Sequence, residues 1–198
     1  MGISVIIPVK EPEPYLPNLT ADVYRSLKDI DHEILCQYEV GLTNAVIEGV
    51  KRSRFDYVAV MDADGSHDPK YLVLMSMIIF RDSSVDLVVG SKVLGYDSNP
   101  LVRRLISKFF CWFASFLLIL PIKEVMSGFV MGKRELFLEL KPSNDYKFLL
   151  QLLCLDPTPK TVELPINFLQ RHEGKSKAGL RTGLTTLYSI LKLWSKRR

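Results

Sequence analysis

Apolar runs rich in β-branched residues alternate with amphipathic helical patterns along this chain, and few folds accept that order. The runs are Ile3–Val9, Glu33–Val40, Tyr57–Met61, Leu87–Val89 and Thr161–Phe168, with helical patterns at about Asn18–Ile30, Leu42–Ser53, Pro69–Arg81 and Leu101–Leu120. Strand, helix and next strand in one sheet close a right-handed crossover. The order therefore predicts an α/β fold with a mostly parallel central sheet flanked by helices. Further helical segments are expected around Lys133–Leu140 and Tyr146–Leu155, and a terminal amphipathic helix at about 180–198. No repeat or linker divides the chain, and 198 residues with 47% hydrophobic side chains suit a single domain over 1–198.

Open sheets of this kind take ligands beyond the carboxyl ends of their strands. The run Tyr57–Met61 ends there in Asp62-Ala63-Asp64-Gly65-Ser66-His67-Asp68-Pro69. Carboxylates at i and i+2 of an extended segment point to one face. Two such charges repel unless a cation sits between them, and a hard divalent ion fills that need. The plainer alternative is a turn, with Asp68 capping the helix that Pro69 begins. We assign Asp68 to the cap and carry both readings for Asp62 and Asp64.

The formal net charge of +4 is uneven, with Arg103, Arg104 and Lys108 around the start of the most apolar segment and Lys192, Lys196, Arg197 and Arg198 at the end. This placement predicts phosphates or an anionic membrane surface as partners, and no nucleic acid. The apolar stretch Phe109–Ile122 is shorter than the ~20 residues of a spanning helix and contains Pro121, so a buried or membrane-skimming helix over about 101–120 is expected. A second copy of the protein would cover such a helix equally well, making a homo-oligomer the other outcome. Leu184, Leu187, Tyr188, Leu191 and Trp194 share one face of the terminal helix, which either packs on the domain or meets the same surface. The three cysteines, Cys36, Cys111 and Cys154, lack metal or disulfide spacing and read as reduced core residues of a cytosolic protein. The start of the chain shows no signal-peptide pattern. Dinucleotide, P-loop, zinc-protease and serine-hydrolase signatures are missing.

Two further segments bear on chemistry. Arg171, Lys175, Ser176, Lys177 and Arg181 lie in RHEGKSKAGLR, either a glycine-containing loop that closes over phosphate or a solvated basic loop. Lys92 ends VVGSK, on the same predicted edge as the acid pair. Cations and acids sharing one cleft would make a metal–diphosphate site beside a second anion site.

SVIIPV (4–9), GLTNAVIEGVKRS (41–53), VMDADGSHDPKYL (60–72), DLVVGSK (86–92), MSGFVMGKRELF (126–137), DYKFLLQLL (145–153) and VELPINFLQRHEGKSKAG (162–179) occur in an order that resembles the inverting GT-A glycosyltransferases of the dolichol-phosphate mannose synthase type. The resemblance spans nearly the whole chain. It implies the GT-A (nucleotide-diphospho-sugar transferase) fold, with Asp62 and Asp64 as the DxD-type pair holding Mg²⁺ or Mn²⁺ on the donor diphosphate and Ser66 near the metal. Pro8, Lys10 and Glu11 match a compressed first-strand donor loop, Arg171, Ser176 and Lys177 a phosphate-gripping loop, and Arg103 and Lys92 cations for the acceptor phosphate. The implied reaction moves a hexose from GDP-mannose or UDP-glucose to a polyprenyl or dolichyl phosphate, on a protein lying peripherally on the cytoplasmic membrane face.

The sequence departs from the family at identifiable points. The block VVDDGSxDGT, whose acids hold the nucleotide base in relatives, is replaced by ILCQYEVGLTNAV, leaving Gln37 and Glu39 as nearest substitutes. Glu124 stands for the Asp that usually precedes SGF, Lys92 for Arg, and Gln151 for Glu. A phosphate acceptor needs no base, whereas a hydroxyl acceptor would need one. Asp145 and Glu124 are the candidates, and a buried carboxyl with a raised pKa is the mark of such a group. Other readings of the same ingredients are a degenerate transferase that binds without turnover and a metal-dependent nucleotidyltransferase.

Overall fold

The computed structural model describes residues 1–10, 13–143, 148–170 and 180–197. Its centre is a sheet of strands β1 (Gly2–Pro8), β2 (Asp31–Gln37), β3 (Tyr57–Val60), β4 (Leu87–Asp97), β5 (Val130–Lys133) and β6 (Thr161–Phe168), in the order β2-β1-β3-β5-β4-β6. All pair in parallel except β5, which runs antiparallel between β3 and β4. The helices are α1 (Leu16–Ser26), α2 (Leu42–Arg52), α3 (Lys70–Arg81), α4 (Leu101–Leu118), α5 (Arg134–Leu138), α6 (Phe148–Leu153) and α7 (Leu180–Arg197).

Strand alternation builds two apolar layers, one on each face of the sheet. Ile6, Val58, Val60, Leu87 and Val89 face the layer formed with α2, α4, α5, α6 and α7. Ile3, Val5, Ile7, Ala59 and Val88 face the layer formed with α1 and α3. Both faces are covered, which is why these strands read as continuous apolar runs.

Three expectations need correction. The segment expected to enter the helix at Lys133 first forms β5, and the strand expected at Leu87–Val89 continues to Asp97, pairing with β6 through an irregularity between Ser91 and Tyr96. On α7 the inward side is marked by Thr186, Ser189 and Ile190, whereas Tyr188 and Leu191 are exposed, so the predicted single apolar face is split. Leu184 has no described side chain.

This topology sets the site. The carboxyl ends of β1, β2, β3, β4 and β6 and the amino end of β5 lie along one edge, because β5 alone is reversed. Val60 and Val89 both pair with Val130, so the segment after β3 and the Ser127-Gly128-Phe129 segment before β5 leave the sheet side by side.

Candidate active site

β3 ends at Val60, two residues before the first acid, so strand alternation does not reach Asp64. A turn does instead. Gly65 takes φ 73, a left-handed value that glycine adopts without a Cβ clash. The Asp64 Oδ1 then accepts from Ser66 N at 3.0 Å and Ser66 Oγ at 2.5 Å. Ser66 is fully buried, and its carbonyl accepts from Leu169 N at 3.0 Å, tying the turn to the end of β6. Ser66 therefore holds Asp64 within the turn, beside the position that its match implies for the metal. Asp68 Oδ1 accepts from Lys70 N at 3.0 Å, closing the turn that leads into α3, in which Pro69 rather than Asp68 takes the N-cap position.

Asp62 is partly open, with 34% of its side chain exposed, and His67 Nε2 stands 3.4 Å from its Oδ2. On another side is Gly128, where a Cβ would come within 2.9 Å of Asp62 Oδ1 and 3.0 Å of Oδ2. Ser127 fixes this approach, its hydroxyl donating to Gly90 O at 2.8 Å and accepting from Phe129 N at 3.1 Å. Sequence reasoning gave His67, Gly128 and Phe168 no role. His67 reads as one more polar turn residue, and the register of β5 that delivers Gly128 had no signal in the chain.

Lys92 on β4 carries its Nζ over the Phe168 ring, 4.7 Å from the centroid, and Phe168 also meets the edge of His67. An aromatic side chain thus links the lysine to the acid turn. Pro8 pairs with Gln37 at the shared edge, Gln37 is buried, and Lys10 is exposed just beyond. Arg103 is half-buried in the first turn of α4, which follows the end of β4. Glu11, Asp145, Arg171, Ser176 and Lys177 lie outside the described residues.

Glu124 is 1% exposed and accepts the Cys111 thiol from α4 at 3.4 Å. Burial drives its carboxyl above the ordinary 4.5, with the Lys92 charge acting in the opposite direction. The thiol is itself pushed up to about 12, by burial first and by Glu124 second. A folded state that holds this proton more tightly than the unfolded chain is favoured below pH ~4.5 and loses that advantage as pH rises through the raised value. Glu124→Gln is therefore expected to match wild type near pH 4 and to equal or exceed its stability at pH 8, read from urea midpoints. A difference independent of pH would contradict this.

Among the described residues, no three His, Cys, Asp or Glu side chains gather into a metal-holding group. Two carboxylates on one turn suit a divalent ion shared with a diphosphate, since Mg²⁺ is commonly held by one or two carboxylates plus substrate phosphates.

The family model described as Glycosyl transferase family 2 matches residues 32–140, more than half of the chain. The chain belongs to glycosyl transferase family 2. This family 2 chain is 30% identical over 98% of its length to a dolichol-phosphate mannosyltransferase of Pyrococcus furiosus, covering 64% of that protein. It is 30% identical over 70% of its length to a polyprenol monophosphomannose synthase of Mycolicibacterium smegmatis, covering 56% of it. It is 29% identical over 79% of its length to a dolichol-phosphate mannosyltransferase of Saccharomyces cerevisiae, covering 61%. The chain thus spans roughly three-fifths of the length of these relatives. Among solved structures, glucosyl-3-phosphoglycerate synthase of Mycobacterium tuberculosis with Mn²⁺, UDP-glucose and glycerol 3-phosphate matches with TM-score 0.73 at 15% identity, over 99% of this chain and 79% of that one. The same enzyme with Mg²⁺ and UDP matches with TM-score 0.76 at 14% identity, over 98% and 79%. The fold is that of the GT-A glycosyltransferases.

Proposed function

We propose that this family 2 chain transfers one hexose from a nucleoside diphosphate sugar to a polyprenyl phosphate, inverting the anomeric centre, while lying peripherally on a membrane. The observation that carries this reading is the acid turn at the carboxyl edge of the sheet, in a chain similar over 98% of its length to a dolichol-phosphate mannosyltransferase. Mannose from GDP-mannose is the first expectation for the donor, glucose from UDP-glucose the second.

In this reading Asp62 and Asp64 hold Mg²⁺ or Mn²⁺, which when bound neutralises charge on the departing diphosphate. Ser66 fixes Asp64 for that task, and Lys92 and Arg103, with Arg171, Ser176 and Lys177, bring charge-assisted donors to phosphate groups. The acceptor phosphate is an anion at neutral pH and attacks without help from a base. Glu124 has the raised pKa of a base for a hydroxyl acceptor, but at 1% exposure it does not reach an incoming proton. That burial argues against Glu124 in this role and leaves Asp145 as the other candidate for a hydroxyl acceptor. Inversion is tested by the anomeric coupling in the NMR spectrum of the product, where retained configuration would overturn the single-displacement reading.

The lipid part of the proposal rests on α4. Val102, Leu105, Ile106, Phe109, Trp112, Phe116 and Ile119 are each more than half exposed and recur at helical spacing as one stripe. Trp112 stacks on Phe116 at 5.8 Å. Ile119, 87% exposed, takes φ 53, a conformation unfavourable for a β-branched residue, and extends the stripe past the helix end. Lys108 lies exposed on the same helix. No helix among the described residues is long and apolar enough to cross a membrane. A stripe of this kind with adjoining cations fits the interface of an anionic bilayer.

The double variant Trp112→Ser with Phe116→Ser is expected to fold normally and to lose at least ~10-fold in binding to vesicles containing anionic phospholipid, measured by co-sedimentation. Wild-type protein that ignores vesicles and sediments as a dimer would assign the stripe to a second copy instead.

A further inference from the structure

We infer that His67 and Gly128 form a two-sided clamp on the Asp62 carboxylate, with His67 a positioning residue for metal–diphosphate binding. The inference deepens the proposed function and rests on its assignment of Asp62 to the metal. His67 is 3% exposed, so it does not itself contact a substrate. Its ring lies 4.8 Å from Phe129, tilted 33°, and 5.2 Å from Phe168, nearly edge-on at 76°. These aromatic neighbours fix the plane of the imidazole.

The hydrogen-bonding capacity of the ring assigns its direction. Among the described residues the buried Nδ1 has no hydrogen-bond partner, whereas Nε2 faces Asp62 Oδ2 at 3.4 Å. An N–H at Nδ1 would be buried without an acceptor, the costlier arrangement, so the ring hydrogen belongs on Nε2, directed at the carboxylate. At 3.4 Å the contact is long for an N–H···O bond. Its effect is therefore directional, disfavouring rotations that carry Oδ2 away from the ring.

Gly128 limits the carboxylate from another side. A Cβ there would meet both Asp62 oxygens, at 2.9 and 3.0 Å, so only a bare Cα leaves the observed rotamer free. Gly128 has no left-handed φ, and its backbone would accept alanine. The need for glycine at this position comes from the carboxylate. A phenylalanine would fill the His67 slot without burying a lone nitrogen. The histidine is explained by an orientation that Asp62 must keep, as groups behind a metal ligand commonly impose.

The test is Mn²⁺ binding followed by the electron paramagnetic resonance of free Mn²⁺, with the ion alone and with GDP or UDP added. His67→Phe keeps the ring and loses the donor, and His67→Gln returns an amide N–H close to the Nε2 position. The clamp predicts about a 10-fold weaker Mn²⁺ affinity for His67→Phe, substantial recovery for His67→Gln, and weakening without a large fall in Tm for Gly128→Ala. Unchanged affinity in folded His67→Phe, beside a wild type that binds Mn²⁺, would overturn the clamp and leave the proposed function intact. Equal weakening in the Phe and Gln variants with lowered Tm would reduce His67 to a packing role and overturn it as well. A wild type that binds no Mn²⁺ with either nucleotide would overturn the metal assignment and the clamp together. Should His67→Phe not fold, Gly128→Ala decides on the same readout.

Discussion

Asp64→Asn is expected to lower hexose transfer by roughly 10²–10³-fold while leaving Tm within a few degrees of wild type. Asparagine keeps an oxygen where Asp64 Oδ1 accepts from Ser66 N and Oγ, so the turn survives. What it removes is the negative charge that would hold a divalent ion. Asp64→Ala should lose as much transfer and also destabilise the protein by about 1–3 kcal/mol, because the buried Ser66 N–H and hydroxyl lose their acceptor. A transfer assay run beside thermal unfolding separates the two effects. Full turnover by Asp64→Asn would show that the charge is not needed.

Phe129→Ala is expected to cost about 3–5 kcal/mol, measured by urea unfolding, and to disturb the site as well as the core. The ring is fully buried where the sheet meets α3 and packs against the tilted ring of His67. Gly90 is part of the same fit, since a Cβ there would lie 3.0 Å from the Phe129 ring and 3.1 Å from Met75. Domains of this kind are stable by only about 5–15 kcal/mol, so such a loss approaches the margin. Phe129→Leu should cost less and leave His67 better supported. A loss below about 1 kcal/mol in the alanine variant would mean that the neighbours collapse into the space.

These residues illustrate what a sequence of this type reveals. Asp62 and Asp64 stood out because paired carboxylates at the end of an apolar run have no place in a core, and the run marked the edge on which they emerge. The long parallel strands and helices were legible for a similar reason, since elements buried on both faces leave unbroken apolar runs. The strand Val130–Lys133 was not, because four residues including Gly132 give too little pattern, and its reversed direction is fixed by neighbours distant in the chain. The Gly128 contact with Asp62 depends on that register, and the aromatic setting of His67 on residues 129 and 168. The split face of α7 has a comparable origin, because the helix lies against α4 with Thr186, Ser189 and Ile190 buried and Tyr188 and Leu191 exposed, an orientation fixed by a neighbour distant in the chain.

The most direct measurement is transfer of labelled hexose from a panel of nucleotide sugars to a short polyprenyl phosphate in detergent, with Mn²⁺ present, then with a chelator, then with Mn²⁺ restored. The account predicts a glycosylated lipid phosphate from one donor, formation that stops on chelation, and recovery when the ion returns. Silence across the whole panel from protein shown to be folded, or transfer indifferent to the chelator, would contradict it.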